Sequence, residues 1–473
     1  MLTHPRANGL GAPHLSTTVT SVPAIDRKLL LLFALPGILQ SFMHAPAGSI
    51  LQGIYAKESG IALMALGTAV LVVRVFDIFS DLLIGYLSDY TARRGISRKL
   101  WMAVGTVVTV LALWFLFRPP AQVTVGYYGF WFLMANIGWS LVEIPYKSWS
   151  LEFSPEPESR TRIVTWIAVA SLIGGLLFYA VAPAGKALGL LPTAELNMKL
   201  LGLVAIVIVL LLPALNFLAL WRVPDTRVPS EPAPASEIPK ESFALLWKSI
   251  IGNAPLLRLI ACFSITNFMT GMSQGVQLLY LTNYLLLSSS VNAVFALVIP
   301  ISMLGIPFWG WVMSKYPRQR VWAVSLALAG LFYAGIGLLQ PGSGIAPLAI
   351  LFCLMAFCAL SVVVAVPVIM GDIIDYGREK FGVERAGLYM SLQAQAVKAM
   401  AAISAGAGLI FLGWVGFDAT QSGDALSPQA VSALKWVMAW FPALGLMLTG
   451  AILWMFPING GWKKASVPSG GVA

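Results

Sequence analysis

Long apolar stretches, parted by short polar gaps, run along the whole sequence. A bilayer-spanning helix needs about 20 apolar residues, and twelve stretches meet that length: 28–56, 61–88, 100–118, 123–152, 160–185, 197–221, 255–286, 290–314, 320–339, 346–371, 386–414 and 434–456. The pattern predicts an all-α polytopic membrane protein rather than a soluble domain on one anchor. A longer interruption separates the sixth and seventh stretches. Val223 to Lys240, which includes PSEPAPASEIPK, carries too few apolar groups to fold and reads as a linker. ESFALLWKSI follows it as a short amphipathic helix on the membrane surface. The expected division is a tail at 1–27, a six-helix bundle at 28–222, the linker and its helix at 223–254, a second six-helix bundle at 255–456 and a tail at 457–473. The halves echo each other: Gly85 to Asp89 precedes a basic loop after the second stretch, and Gly310 to Lys315 precedes one after the eighth. Repeated halves around a midplane site are a recurrent carrier design.

Composition sharpens this picture. Only 11% of the 473 residues are charged and 58% are hydrophobic, against about 25% charged in soluble domains, so most of the surface must face lipid. The net charge of +10 does not indicate a nucleic-acid partner. With both tails placed inside, 22 of the 30 Lys and Arg fall in inside segments, and only Lys57, Arg118, Lys186, Lys199 and Lys435 fall outside. This is the positive-inside bias of membrane proteins. It predicts cytoplasmic termini; a bacterial cytoplasmic (inner) membrane is the expected location. Cys262, Cys353 and Cys358 lie in apolar stretches and suggest neither a disulfide nor a metal framework. Met1 to about Ala24 lacks the layout of a cleaved signal peptide.

The remaining three cations and three acids lie at membrane depth, where an ionisable group costs at least ~2.5 kcal/mol. Arg74, Asp77 and Asp81 lie three and four residues apart in the second span, in line with Gly85 and Asp89 along one helical face. Glu143 and Lys147 are four apart in the fourth span, and Lys398 is in the eleventh. Glu143 and Lys147 can reach each other within one helix, as a structural pair would. Asp77 and Asp81 repel unless a proton or a cation such as Na⁺ lies between them. The seventh span carries a polar stripe that includes Asn267 and Gln274, suited equally to cavity lining and to helix–helix bonding. Trp139 and Trp149 flank the fourth-span charges and could stack on a sugar ring. Asp372, Asp375 and Tyr376 are expected in a loop, with a gating role.

RVFDIFSDLLIGYLSDYTARRG resembles the second-helix signature of the glycoside–pentoside–hexuronide:cation symporters of the major facilitator superfamily. VEIPYKSWSLEFSPEPESRTRI is similar to that family's fourth helix and following loop, and GDIIDYGREKFGVERAGLYMSLQAQAVKAMAA to its tenth–eleventh loop and eleventh helix. The resemblance implies twelve helices in two pseudo-symmetric bundles, alternating access, and symport of a sugar, glycoside or uronide with H⁺ or Na⁺, by a monomer with no other cofactor. Carried over by position, Asp77 and Asp81 match the cation-binding carboxylates, with Ser80, Ser140 and Lys398 beside them. Glu143 matches an acid that contacts sugar, and Arg74 an arginine close to both. Asp89, Arg93 and Arg94 match the superfamily's gating loop. There are two departures. Melibiose-type members carry a sugar-binding aspartate in the first helix, where this chain offers only Gln40, Ser41 and His44. Lys147 stands where those members have a tryptophan, so an anionic substrate such as a uronide is one reading and proton coupling through Asp77 or Asp81 another.

A carrier of another small organic solute without Na⁺ coupling is the alternative. An enzyme is the remote one. Asp77-x-x-x-Asp81 and Asp372-x-x-Asp375 loosely match the paired motifs that bind Mg²⁺-diphosphate in membrane prenyltransferases. Asp77 and Asp81, however, lie in an uninterrupted apolar helix, whereas Mg²⁺ keeps several waters.

Overall fold

The computed structural model describes residues 26–46, 50–152, 157–225, 243–382 and 385–455. The two tails and most of the expected linker lie outside these. Among the described residues there is no strand, and ten helical stretches are long and apolar enough to cross a bilayer. The two further expected spans are the most polar. The first comprises α1 (Arg27–Ala45), with Pro46 at its end, and α2 (Leu51–Glu58). The fourth, α5 (Val125–Glu152), is long enough at 28 residues but carries Asn136, Ser140, Glu143 and Lys147.

The other spans of the first bundle are α3 (Leu63–Arg93), α4 (Arg98–Phe117), α6 (Pro157–Ala187) and α7 (Met198–Arg222). Asp26, Ser97 and Asn197 cap α1, α4 and α7 with their side chains, supplying an acceptor to donors that no helical carbonyl reaches. The short α8 (Phe243–Ile251) stands where the surface helix is expected. The second bundle begins with α9 (Ala254–Leu279), which runs into a π-turn at Tyr280–Tyr284. The eighth span is split into α10 (Val291–Met303) and α11 (Gly305–Lys315), and the tenth into α13 (Ile345–Ala359) and α14 (Ser361–Phe381), with α12 (Arg318–Leu338) between them. α15 (Ala386–Trp414), α16 (Pro428–Lys435) and α17 (Phe441–Trp454) complete it.

Within the first bundle α1 packs on α6 and α7, α4 on α5 and α7, and α3 on α5. Within the second, α9 packs on α15 and α17, α12 on α13 and α17, and α10 on α13. The bundles meet through α3 with α15, α6 with α10, and α2 with α9. These seams are made by small residues. A Cβ on Gly67 would lie 2.8 Å from the Gly406 carbonyl oxygen, one on Gly413 2.7 Å from the Met64 nitrogen, and one on Gly53 2.8 Å from Leu278 Cβ. The Asn292 amide adds a hydrogen bond across the halves to the Ala194 carbonyl at 2.6 Å. All of these lie toward the end opposite the basic α3–α4 turn. At the basic end, a Cβ on Gly371 of α14 or Gly387 of α15 would meet nothing within 4 Å. The halves are thus sealed at the end away from the basic turn.

Candidate functional site

A cavity of about 580 Å³ lies between the halves, lined by residues of α1, α3, α4, α5, α9 and α15. Its size falls within the roughly 300–1,000 Å³ usual for small-molecule sites. Three ionic contacts occupy it. Lys147 Nζ meets Glu143 Oε1 at 2.7 Å along one face of α5. The Trp139 indole donates to the other carboxylate oxygen of Glu143 at 2.6 Å, so this acid is held from both sides. Lys398 of α15 donates to Asp81 Oδ2 at 2.8 Å, linking the two halves. Arg74 approaches Asp77 only to 3.9 Å and accepts its stronger tether elsewhere, donating to Asn136 Oδ1 at 3.1 Å with its guanidinium over Phe132. The other oxygen of Asp81 is buried and has no hydrogen-bond partner among the described residues.

The two lysines on the cavity wall differ from ordinary buried pairs by their exposure. The Lys147 side chain is 71% exposed and that of Lys398 52%. Each can therefore exchange its carboxylate for another anion without first being uncovered.

His44, Arg74, Asp77, Asp81, Trp139, Ser140, Glu143, Lys147, Asn267, Gln274 and Lys398 line this one cavity. His44 leans on the Trp139 ring with centroids 5.0 Å apart. Asn267, Thr270 and Gln274 also border a more apolar cavity of about 720 Å³ inside the second bundle. Four sequence candidates are not among the lining residues. Trp149 is buried against Phe33, at 4.6 Å between ring centroids. At 100° per residue it lies six positions and 240° around α5 from Glu143. The Ser80 hydroxyl returns to the Asp77 carbonyl of its own helix at 3.0 Å. Gln40 and Ser41 lie a turn away from His44. Asn136, Thr109 and Phe132 line the cavity without having been singled out from sequence. Asn136 could have been found, since it lies four residues before Ser140 and seven before Glu143 on one α5 face.

Outside the cavity, Asp89 is paired with Arg98 of α4 at 2.8 Å, and Arg98 also donates to Ser88 at 2.9 Å. Arg94 lies over the Tyr90 ring, an added Cβ on Gly85 would just touch Ile144 at 3.9 Å, and the Arg93 side chain lies outside the description. Asp372, Asp375 and Tyr376 are not in a loop, as their polarity suggested. They belong to α14, which continues to Phe381 and ends on Gly382 in the left-handed conformation (φ +73°), a backbone state that suits glycine. Lys380 anchors that end, donating to the Gly252 carbonyl at 2.8 Å and to the Tyr376 hydroxyl at 3.3 Å. Among the described residues no cluster of His, Cys, Asp and Glu is arranged to hold a metal ion.

Two helical bundles around a charged central cavity, sealed at one end, define a membrane carrier of the major facilitator type. Residues 32–460 match the MFS/sugar transport protein family, and the chain belongs to it. It is 23% identical over 440 residues to the glucuronide carrier protein homolog of Escherichia coli (strain K12), covering 90% of this chain and 92% of that one. It is 26% identical over 415 residues to the uncharacterized symporter YjmB of Bacillus subtilis (strain 168), covering 84% and 85%. The inward-open xylose transporter XylE from E. coli superposes with a TM-score of 0.60 at 16% identity, over 91% of this chain and 96% of that one. That last likeness is one of fold. The chain is a transporter and not an enzyme, which removes the prenyltransferase reading.

Proposed function

We propose that this protein takes up a uronide, a glycoside bearing a carboxylate, together with a proton. The observation that carries the proposal is the Lys147–Glu143 pair, whose exposed ammonium faces the central cavity. In this reading the substrate carboxylate displaces Glu143 from Lys147, and Glu143, still held by Trp139, turns to a sugar hydroxyl. The adjoining apolar cavity leaves room for the aglycone. The name of the E. coli relative agrees with the carboxylate, and YjmB's with symport.

Charge balance favours H⁺ over Na⁺. Three acids face three bases in the cavity, so there is no net negative charge to attract a metal cation before one binds. A Na⁺ at Asp81 would sit against the Lys398 ammonium. A proton on Asp81 instead cancels its charge and frees Lys398 from the other half. The proposed cycle starts from the conformation seen here. With the basic loops in the cytoplasm it is inward-facing, and the halves rock once the Lys398–Asp81 contact has been exchanged.

Replacing Lys147 by Ala tests the substrate class. The expected result is a loss of preference, with glucuronide counterflow in proteoliposomes falling about tenfold or more against that of a neutral glucoside. That corresponds to losing one charge-assisted contact of roughly 1.5–3 kcal/mol. Unchanged selectivity between the acidic and neutral sugars would remove the uronide from the proposal.

A further inference from the structure

A second polar feature lies far from the central cavity. At the end opposite the basic loops, a cavity of about 580 Å³ opens between the end of α4 and the start of α7. Arg118 and Lys199 line it, and Leu190, Leu191, Leu203 and Ile206 form its apolar wall. The Arg118 guanidinium is laid over the Trp114 ring, 4.6 Å from its centroid. The Arg118 stem runs beside Gly202 of α7, whose added Cβ would just reach Cγ at 3.9 Å. Neither cation has an ion-pair partner among the described residues. Glu58, the acid that reaches this rim, accepts the Met198 backbone N–H at 3.1 Å.

The placement is unusual in two respects. Lys and Arg are depleted on this side by the positive-inside bias, yet two of the five outside cations share one groove. The groove also sits where spanning helices end, and it runs on into the lipid-facing side of α7, where Ile206, Leu210 and Leu211 are exposed. Cations at the headgroup level above an apolar channel match one class of ligand, a phosphate with acyl chains attached. The geometry points to a binding site for an anionic phospholipid of the outer leaflet, its phosphate between Arg118 and Lys199 and its chains along α7. The site is separate from the transport cavity, and its occupancy by lipid does not depend on which substrate the carrier moves.

Native mass spectrometry of the purified full chain tests this, with phosphatidylglycerol and phosphatidylcholine as probes. Phosphatidylglycerol is expected to be retained in preference. The double variant Arg118→Gln/Lys199→Gln is expected to lose about 25-fold in that affinity, near fivefold for each cation close to a lipid phosphate. The control Lys57→Gln/Lys435→Gln, altering two other outside cations, should change nothing. Equal retention of the two lipids, or unchanged retention in the double variant, overturns the proposal. So does displacement of phosphatidylglycerol by an equal concentration of inorganic phosphate, which would mark a site for free anions. Should the double variant not fold, a photoactivatable phosphatidylglycerol on the native chain decides: crosslinks at 203–211 support the site, and crosslinks only elsewhere overturn it.

Discussion

Asp81→Asn is expected to abolish accumulation of substrate while leaving its exchange across the membrane. Asp81 is the acid that joins the halves through Lys398 at 2.8 Å, and its second oxygen is a buried acceptor with no partner among the described residues. Asparagine keeps the size and an oxygen for Lys398 but cannot carry the coupling proton. An imposed gradient of one pH unit is worth about 1.4 kcal/mol, or tenfold in concentration, to a carrier moving one proton per substrate. The variant should lose this and equilibrate at a ratio near one, while counterflow of labelled substrate continues. Uphill accumulation by the variant would place the coupling group elsewhere, with Asp77 next in line.

The second large effect is expected at the seam between α3 and α15. Gly67 and Gly406 face each other so closely that a Cβ on either would lie 2.7–2.8 Å from the other's carbonyl oxygen. Backbone cannot yield as a flexible side chain can, so Gly67→Leu must push the helices apart. Overpacking costs about 1–3 kcal/mol, enough to shift the balance of two conformers roughly 5- to 150-fold. The penalty applies where the halves are sealed and disappears where that end opens. The variant should therefore transport poorly yet remain folded, and be trapped with that end, away from the basic loops, open. A cysteine replacing Ile410, which packs half-buried beside Gly67 in the same seam, should gain reactivity toward an impermeant maleimide from the side away from the basic loops. Labelling no faster than in the parent would show that the seam does not control access.

What the sequence made legible follows from which forces are local. Span positions depend on runs of apolar residues, and each of the twelve expected stretches corresponds to an observed helix or helix pair, although the tenth continues to Phe381 rather than 371 and the twelfth begins at Pro428 rather than 434. The breaks inside spans were less visible. The interruptions at Leu304 and Leu360 carry no proline at the break itself. The charges are conspicuous because membrane depth makes them costly, and helical spacing places Arg74, Asp77 and Asp81 on one α3 face, where all three line the cavity. Partners from other helices were not readable in the same way. That Lys398 selects Asp81, that Arg74 is held mainly by Asn136, and that Asp89 pairs with Arg98 depend on how the helices pack. Trp149 is near Glu143 in sequence, but its angle around α5 turns it away from the cavity and against Phe33.

The most direct test of the whole account is the driving force for accumulation in proteoliposomes. A uronide anion moving with one proton carries no net charge, so its accumulation should follow the pH gradient alone. The predicted result is about tenfold accumulation of glucuronide per pH unit, unchanged by an imposed K⁺ diffusion potential and by the presence or absence of Na⁺. Accumulation driven by a Na⁺ gradient, or by the membrane potential without a pH gradient, would contradict it.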